Sequence, residues 1–116
     1  MGNLALVLED QGKLSDAEAM HREALEIRRK VMGDEHPAVA LSLFNLGRIL
    51  KGRGDWPAAE TLFRESLAIT RQFPDNEYVD IAKLLGHLAE VLADQGKFDE
   101  ARGFFEEGMS LRKDIK

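Results

Sequence analysis

Apolar and polar positions along this chain follow a helical period, and the pattern restarts every 42 residues. Leu43, Leu46, Gly47 and Leu50 form one apolar face. Gly54-Asp55 follows, and then a second stripe of Ala59, Leu62, Phe63, Ser66 and Leu67. Spacings of three and four put each set on one side of a helix. A shift of 42 residues in either direction finds the pattern again. Gly12, Gly54 and Gly96 coincide, as do Leu4, Leu46 and Leu88, and Ala17, Ala59 and Ala101. Asp10-Gln11-Gly12-Lys13 recurs unchanged as Asp94-Gln95-Gly96-Lys97. Self-similarity at a fixed period marks a repeat architecture, in which each unit completes its core by stacking on a neighbour.

The pattern predicts six helices in three hairpins. The first helix runs Gly2–Gln11, with Leu4, Ala5, Val7 and Leu8 on one face, and Gly12-Lys13-Leu14 forms the turn. Glycine supplies the positive φ that ends a helix cheaply. Ser15 and Glu18 have capping-box spacing for the second helix. Its stripe is Ala17, Met20, His21, Ala24 and Leu25, and it ends at Gly33-Asp34 with Arg28, Arg29 and Lys30 in its last turn. Cations there complement the helix dipole. Pro37 opens the third helix and Pro57 falls in the first turn of the fourth, where a missing N–H costs nothing. Phe73-Pro74-Asp75-Asn76 breaks the chain. The last unit runs Tyr78–Gln95, turns at Gly96, and ends with Asp99–Ile115, whose stripe is Ala101, Phe104, Phe105, Gly108 and Met109.

Residue size repeats too. Small side chains at Ala5/Gly47/Ala89, Ala17/Ala59/Ala101 and Ala24/Ser66/Gly108 let helix backbones approach. Large ones at Met20/Leu62/Phe104 and His21/Phe63/Phe105 fill the space between units. The first helix starts almost at residue 1 without a polar cap, as expected of a segment cut from a longer array.

Composition narrows the function classes. A chain of 116 residues with 44% hydrophobic content suits one folded helical domain. A net charge of −5 leaves no basic footprint for nucleic acid and disfavours anionic membranes. No apolar run approaches the ~20 residues of a membrane span, and no signal-peptide pattern precedes the fold. The absence of cysteine excludes disulfides and zinc–thiolate sites and fits a cytoplasmic setting.

Candidate chemistry is sparse. His21, His36 and His87 lie far apart, without metalloprotease spacing. His36, before Pro37, reads as a capping or solvated residue, and His21 as a histidine packed between units. His87 is read either as a ligand contact or as plain surface. Gly52-Arg53-Gly54 is a helix end rather than a phosphate loop. Asp99-Glu100 and Glu106-Glu107 fall on helix surfaces or first turns. No catalytic residue, metal or cofactor is expected.

The recurring residues resemble the tetratricopeptide repeat. Leu46-Gly47, Leu50, Gly54, Ala59, Phe63 and Ser66 sit at its signature spacing, and the other units match through Leu4-Ala5, Leu8, Ala17, Ala24 and Leu88-Ala89, Leu92, Ala101, Phe105. The 42-residue period and Gly33-Asp34-Glu35-His36-Pro37 are similar to the kinesin light chain type of repeat. Arg29, Arg71 and Lys113 stand where the common signature has proline, so the second helices should run long. The resemblance implies an all-α, right-handed superhelix: a single domain over 1–116, with repeats near 1–33, 34–75 and 76–116.

It also implies a non-enzymatic scaffold holding a protein or peptide in a concave groove. Groove residues carried over by position are Asn3, Leu6, Leu41, Phe44, Asn45, Arg48, Lys83, His87 and Glu90. Asn3, Asn45 and His87 are equivalent, so an asparagine ladder reading a peptide backbone is broken at its third rung. The family's carboxylate clamp for chaperone tails is rejected. Asn45 and Lys83 fit it, but Gly2, Leu6 and His87 do not. Two other readings stand beside the scaffold. One is self-association through apolar ends, at Leu4, Val7 and Leu8 and at Phe105, Met109 and Ile115. The other is a regulatory segment of a larger enzyme.

Overall fold

The computed structural model describes residues 2–114, with side chains described for residues 13–111. Within them the chain forms five α-helices and no strand: α1 (Gly2–Met32), α2 (Pro37–Gly52), α3 (Trp56–Gln72), α4 (Ile81–Asp94) and α5 (Phe98–Asp114). Helices α2 and α3 pack as one hairpin and α4 and α5 as a second. Helix α1 packs on α2 as α3 packs on α4.

The two hairpin turns are built alike. Gly54 has φ 84° and Gly96 φ 82°, the left-handed conformation that side chains resist. The Asp55 N–H donates to the Leu50 carbonyl (2.9 Å) and the Gly54 N–H to Lys51 (3.0 Å). The Lys97 N–H donates to Leu92 (2.8 Å) and the Gly96 N–H to Ala93 (2.9 Å). Both are Schellman motifs, which satisfy the last carbonyls of a helix.

The turn expected at Gly12 is not formed. Helix α1 runs unbroken through residues 10–13, so there are five helices rather than six and two closed hairpins rather than three. The same four residues turn at 94–97, so local sequence does not decide the outcome. A Schellman turn is held by the next helix packing back, as α5 does on α4. An isolated glycine within a helix costs only about 1 kcal/mol. Ser15 therefore lies inside α1 and caps nothing. Its hydroxyl and the Glu18 carboxylate instead accept from Arg53 Nη1 at 3.1 and 2.8 Å.

Other boundaries follow capping chemistry. His36 Nδ1 accepts from the Ala38 N–H (2.9 Å), so this histidine caps α2. Helix α4 begins at Ile81, not Tyr78. Asn76 Oδ1 takes the N–H groups of Tyr78 and Val79, and Asp80 caps the helix through the Ala82 N–H (2.9 Å). Arg28 reaches across to the Ala38 carbonyl and the Ser42 hydroxyl rather than its own helix end. Arg29 and Arg71 lie inside long helices.

Leu43, Leu46, Phe63, Leu84, Leu85, Leu88 and Leu92 are fully buried. Met20 does not fill space between units: it is 70% exposed, whereas Leu62 and Phe104 pack against the core. Among the described residues the backbones of α1, α3 and α5 do not approach one another. Long side chains bridge them instead. Arg29 pairs with Glu65, and its equivalent Arg71 pairs with Glu107. Arg64 reaches Glu100.

Candidate functional site

The face shared by α2 and α4 carries most of the residues expected in a groove. Asn45 is half-buried, and Arg48, Lys83 and Glu90 are exposed. Among the described residues none of Asn45, Arg48 and Lys83 has a side-chain hydrogen-bond partner. Leu41 is half-buried against the core. Phe44 is buried, with the Arg48 guanidinium 5.7 Å from its ring centre. Asn3 and Leu6 lie outside the residues with described side chains, as do Leu4, Val7, Leu8 and Ile115.

His87 sits at the centre of this face. Its ring stacks on Phe63 (5.9 Å, 25°) and meets Phe44 edge-on (5.5 Å, 66°). Lys51 Nζ lies 3.1 Å from Nδ1 and also pairs with Glu90. The ring is thus an inter-unit packing group with one polar edge facing outward. His21, the register equivalent of Phe63, is half-buried and lines a shallow hollow of ≈ 420 Å³ with Leu14, Asn45, Arg48 and Ile49.

Glu60 is a polar node that the sequence reading missed. Its carboxylate accepts from Arg64 Nε (2.7 Å), Gln95 Nε2 (2.8 Å) and Lys97 Nζ (3.0 Å). The signal was present: Glu18 and Arg53 lie 42 residues before Glu60 and Gln95 and make the equivalent contact.

Both groups have displaced acidities. Burial pushes the His87 imidazole below its ordinary value. Lys51, and further off Arg48 and Lys83, act the same way, against an opposing pull from Glu90. Burial alone would raise the Glu60 carboxyl, but its hydrogen bonds from Arg64, Lys97 and Gln95 outweigh that and hold it at about 2. In each case the unfolded chain binds the proton more readily, so acid destabilises the fold. Stability is expected to be level above the ordinary histidine pKa of ~6.5 and to fall below it as His87 charges beside Lys51. It should fall again from the ordinary carboxyl range towards pH 2 as Glu60 is protonated. Urea unfolding at a series of pH values checks this. His87→Asn should remove the upper stage and leave the lower.

Along α5, Phe98, Phe105 and Met109 are 66%, 54% and 50% exposed. Phe98 and Phe105 border an apolar hollow with Ala89, Ala93 and Ala101. Among the described residues, no group of histidine and carboxylate side chains could hold a metal ion. No helix among them is long and apolar enough to cross a membrane.

The Tetratricopeptide repeat profile matches residues 1–72 and 49–114. The chain belongs to the tetratricopeptide repeat family. A solved structure with the same fold is the crystal structure of BtubC (BKLC) from P. vanneervenii, a kinesin light chain-like protein of this family. It is 25% identical, with a TM-score of 0.82 over 97% of this chain. This tetratricopeptide chain spans 45% of that protein's length. No curated protein matches the chain. Tetratricopeptide repeats are non-catalytic scaffolds that generally mediate protein–protein interaction.

Proposed function

We propose that this tetratricopeptide array holds a segment of a protein partner along the α2/α4 face. The observation that carries the reading is the row of Asn45, Arg48 and Lys83. These are exposed or half-exposed polar groups without side-chain hydrogen-bond partners among the described residues, set over a packed Phe44–Phe63–His87 floor. An amide can donate to and accept from a peptide backbone. Three cations, Arg48, Lys51 and Lys83, stand against the single carboxylate of Glu90 in the His87 surroundings, although the whole chain is acidic. The face therefore favours a segment that carries carboxylates.

The test is a peptide-library screen followed by substitution. Asn45→Ala, Arg48→Ala and Lys83→Ala should each change stability by less than ~0.5 kcal/mol, as surface changes do, yet weaken the selected peptide several-fold. A peptide whose affinity none of the three alters binds elsewhere and sinks the proposal. A chain unfolded by Asn45→Ala would make that residue structural.

A second reading is favoured by the exposed Phe105 and Met109: association of copies through the α5 end. Phe105→Ser with Met109→Ser should then remove any concentration dependence of the mass in light scattering.

A further inference from the structure

Helix α3 is flanked on two sides, by its own unit's α2 and by α4 of the next. Among the described residues helix α1 has only the second kind of neighbour, α2. Its other flank is open. Ala59 and Ser66, which α2 covers, are 0% exposed, and Ala101 and Gly108 under α4 are buried as well. The equivalent Ala17 and Ala24 of α1 are only half-buried. In the 42-residue register the segment belonging on that flank is 2–11, the counterpart of 44–53 and 86–95. Because α1 is continuous, residues 2–11 point away along the helix axis and cannot reach the seat on their own chain.

We propose that a second copy of the chain fills it, the two copies exchanging residues 2–11 reciprocally about a two-fold axis near Gly12. Two α1 helices then lie antiparallel, and each 2–11 segment lies against Ala17 and Ala24 of the other copy. The contact would reproduce one this molecule already makes, that of α2 on α3. Exchange of an identical element needs no new interface chemistry, only a hinge that opens. Gly12 is that hinge, since its tetrapeptide turns in one place and runs helical in the other.

Gly47 lies against the Phe63 ring, so residues 5 and 21 meet if the register holds. Two single variants, Ala5→Cys and His21→Cys, are made in a chain with no other cysteine. They are unfolded together, refolded as a mixture and treated with a short bis-maleimide. The expected result is a cross-linked pair of copies in the mixture and none with either variant alone. Light scattering on the unmodified chain should give twice 13.0 kDa. The double variant distinguishes the closed alternative. A link within one chain, with no link between copies in the mixture, means that residues 2–11 fold back as an ordinary hairpin, and it overturns the proposal. No link in either sample means the seat stays empty and overturns it too. A dimer without the 5–21 link would locate association at the α5 end instead.

Discussion

Phe63→Ala is expected to lower the unfolding free energy by about 3–5 kcal/mol, the range for removing a large aromatic from a packed core. Phe63 is fully buried and serves two interfaces at once. Its edge lies over Gly47 within its own hairpin, and its face stacks on His87 of the next unit. Phe44 closes the third side at 6.0 Å. Truncation leaves a cavity where α2, α3 and α4 converge, a junction that cannot collapse without tilting one helix. Denaturant unfolding followed by circular dichroism measures the loss. A change below ~1 kcal/mol would mean that the inner aromatic is not what joins the units.

Gly47→Leu should be nearly as damaging, for the opposite reason. A Cβ at residue 47 would lie 2.7 Å from Phe63 Cε1 and 2.9 Å from Cδ1, closer than real carbon atoms approach. The ring has no free direction, because Phe44 and His87 hold it from the other sides. Overpacking of this kind costs typically ~1–3 kcal/mol, occasionally more. The better helix propensity of leucine returns less than ~1 kcal/mol. The two substitutions should be coupled: in a Phe63→Ala background, Gly47→Leu should lose much less, by the ~0.5–3 kcal/mol usual for touching residues. Strict additivity would contradict the close approach.

Much of this architecture was legible in the residues because the repeat supplies its own alignment. One glycine, one alanine and one leucine in register place the helices, and the small-residue positions at Gly47 and Ala59 mark where backbones meet. What escaped was whatever depends on neighbours beyond a few residues. Asp10-Gln11-Gly12-Lys13 reads as a turn, and its identical copy is one, yet here it is helical. A turn is chosen by what packs on either side of it, which four residues do not encode. His87 looked like a free groove residue because it replaces asparagine. Its stacking on Phe63 depends on two side chains 24 positions apart whose meeting only the fold reveals. Of the candidate groove, Asn45, Arg48, Lys83 and Glu90 were carried over from the repeat family by position, and they lie half-buried or exposed on α2 and α4. Phe44, carried over in the same way, is buried against Phe63, a contact between α2 and α3 that its position alone does not reveal.

The bridges between α1, α3 and α5 bear on how the array deforms. Units meet along apolar seams where α1 packs on α2 and α3 on α4, while among the outer helices Arg29–Glu65, Arg64–Glu100 and Arg71–Glu107 are the outlying links. Bonds far from the seam act on a long lever, so even pairs worth ~0–1 kcal/mol each resist bending out of proportion to their share of stability. They are also exposed to ions. The screening length falls from ~8 Å at physiological salt to ~3 Å at 1 M, which softens the outer links and leaves the seam intact. High ionic strength is therefore expected to ease bending between units while leaving the helices folded.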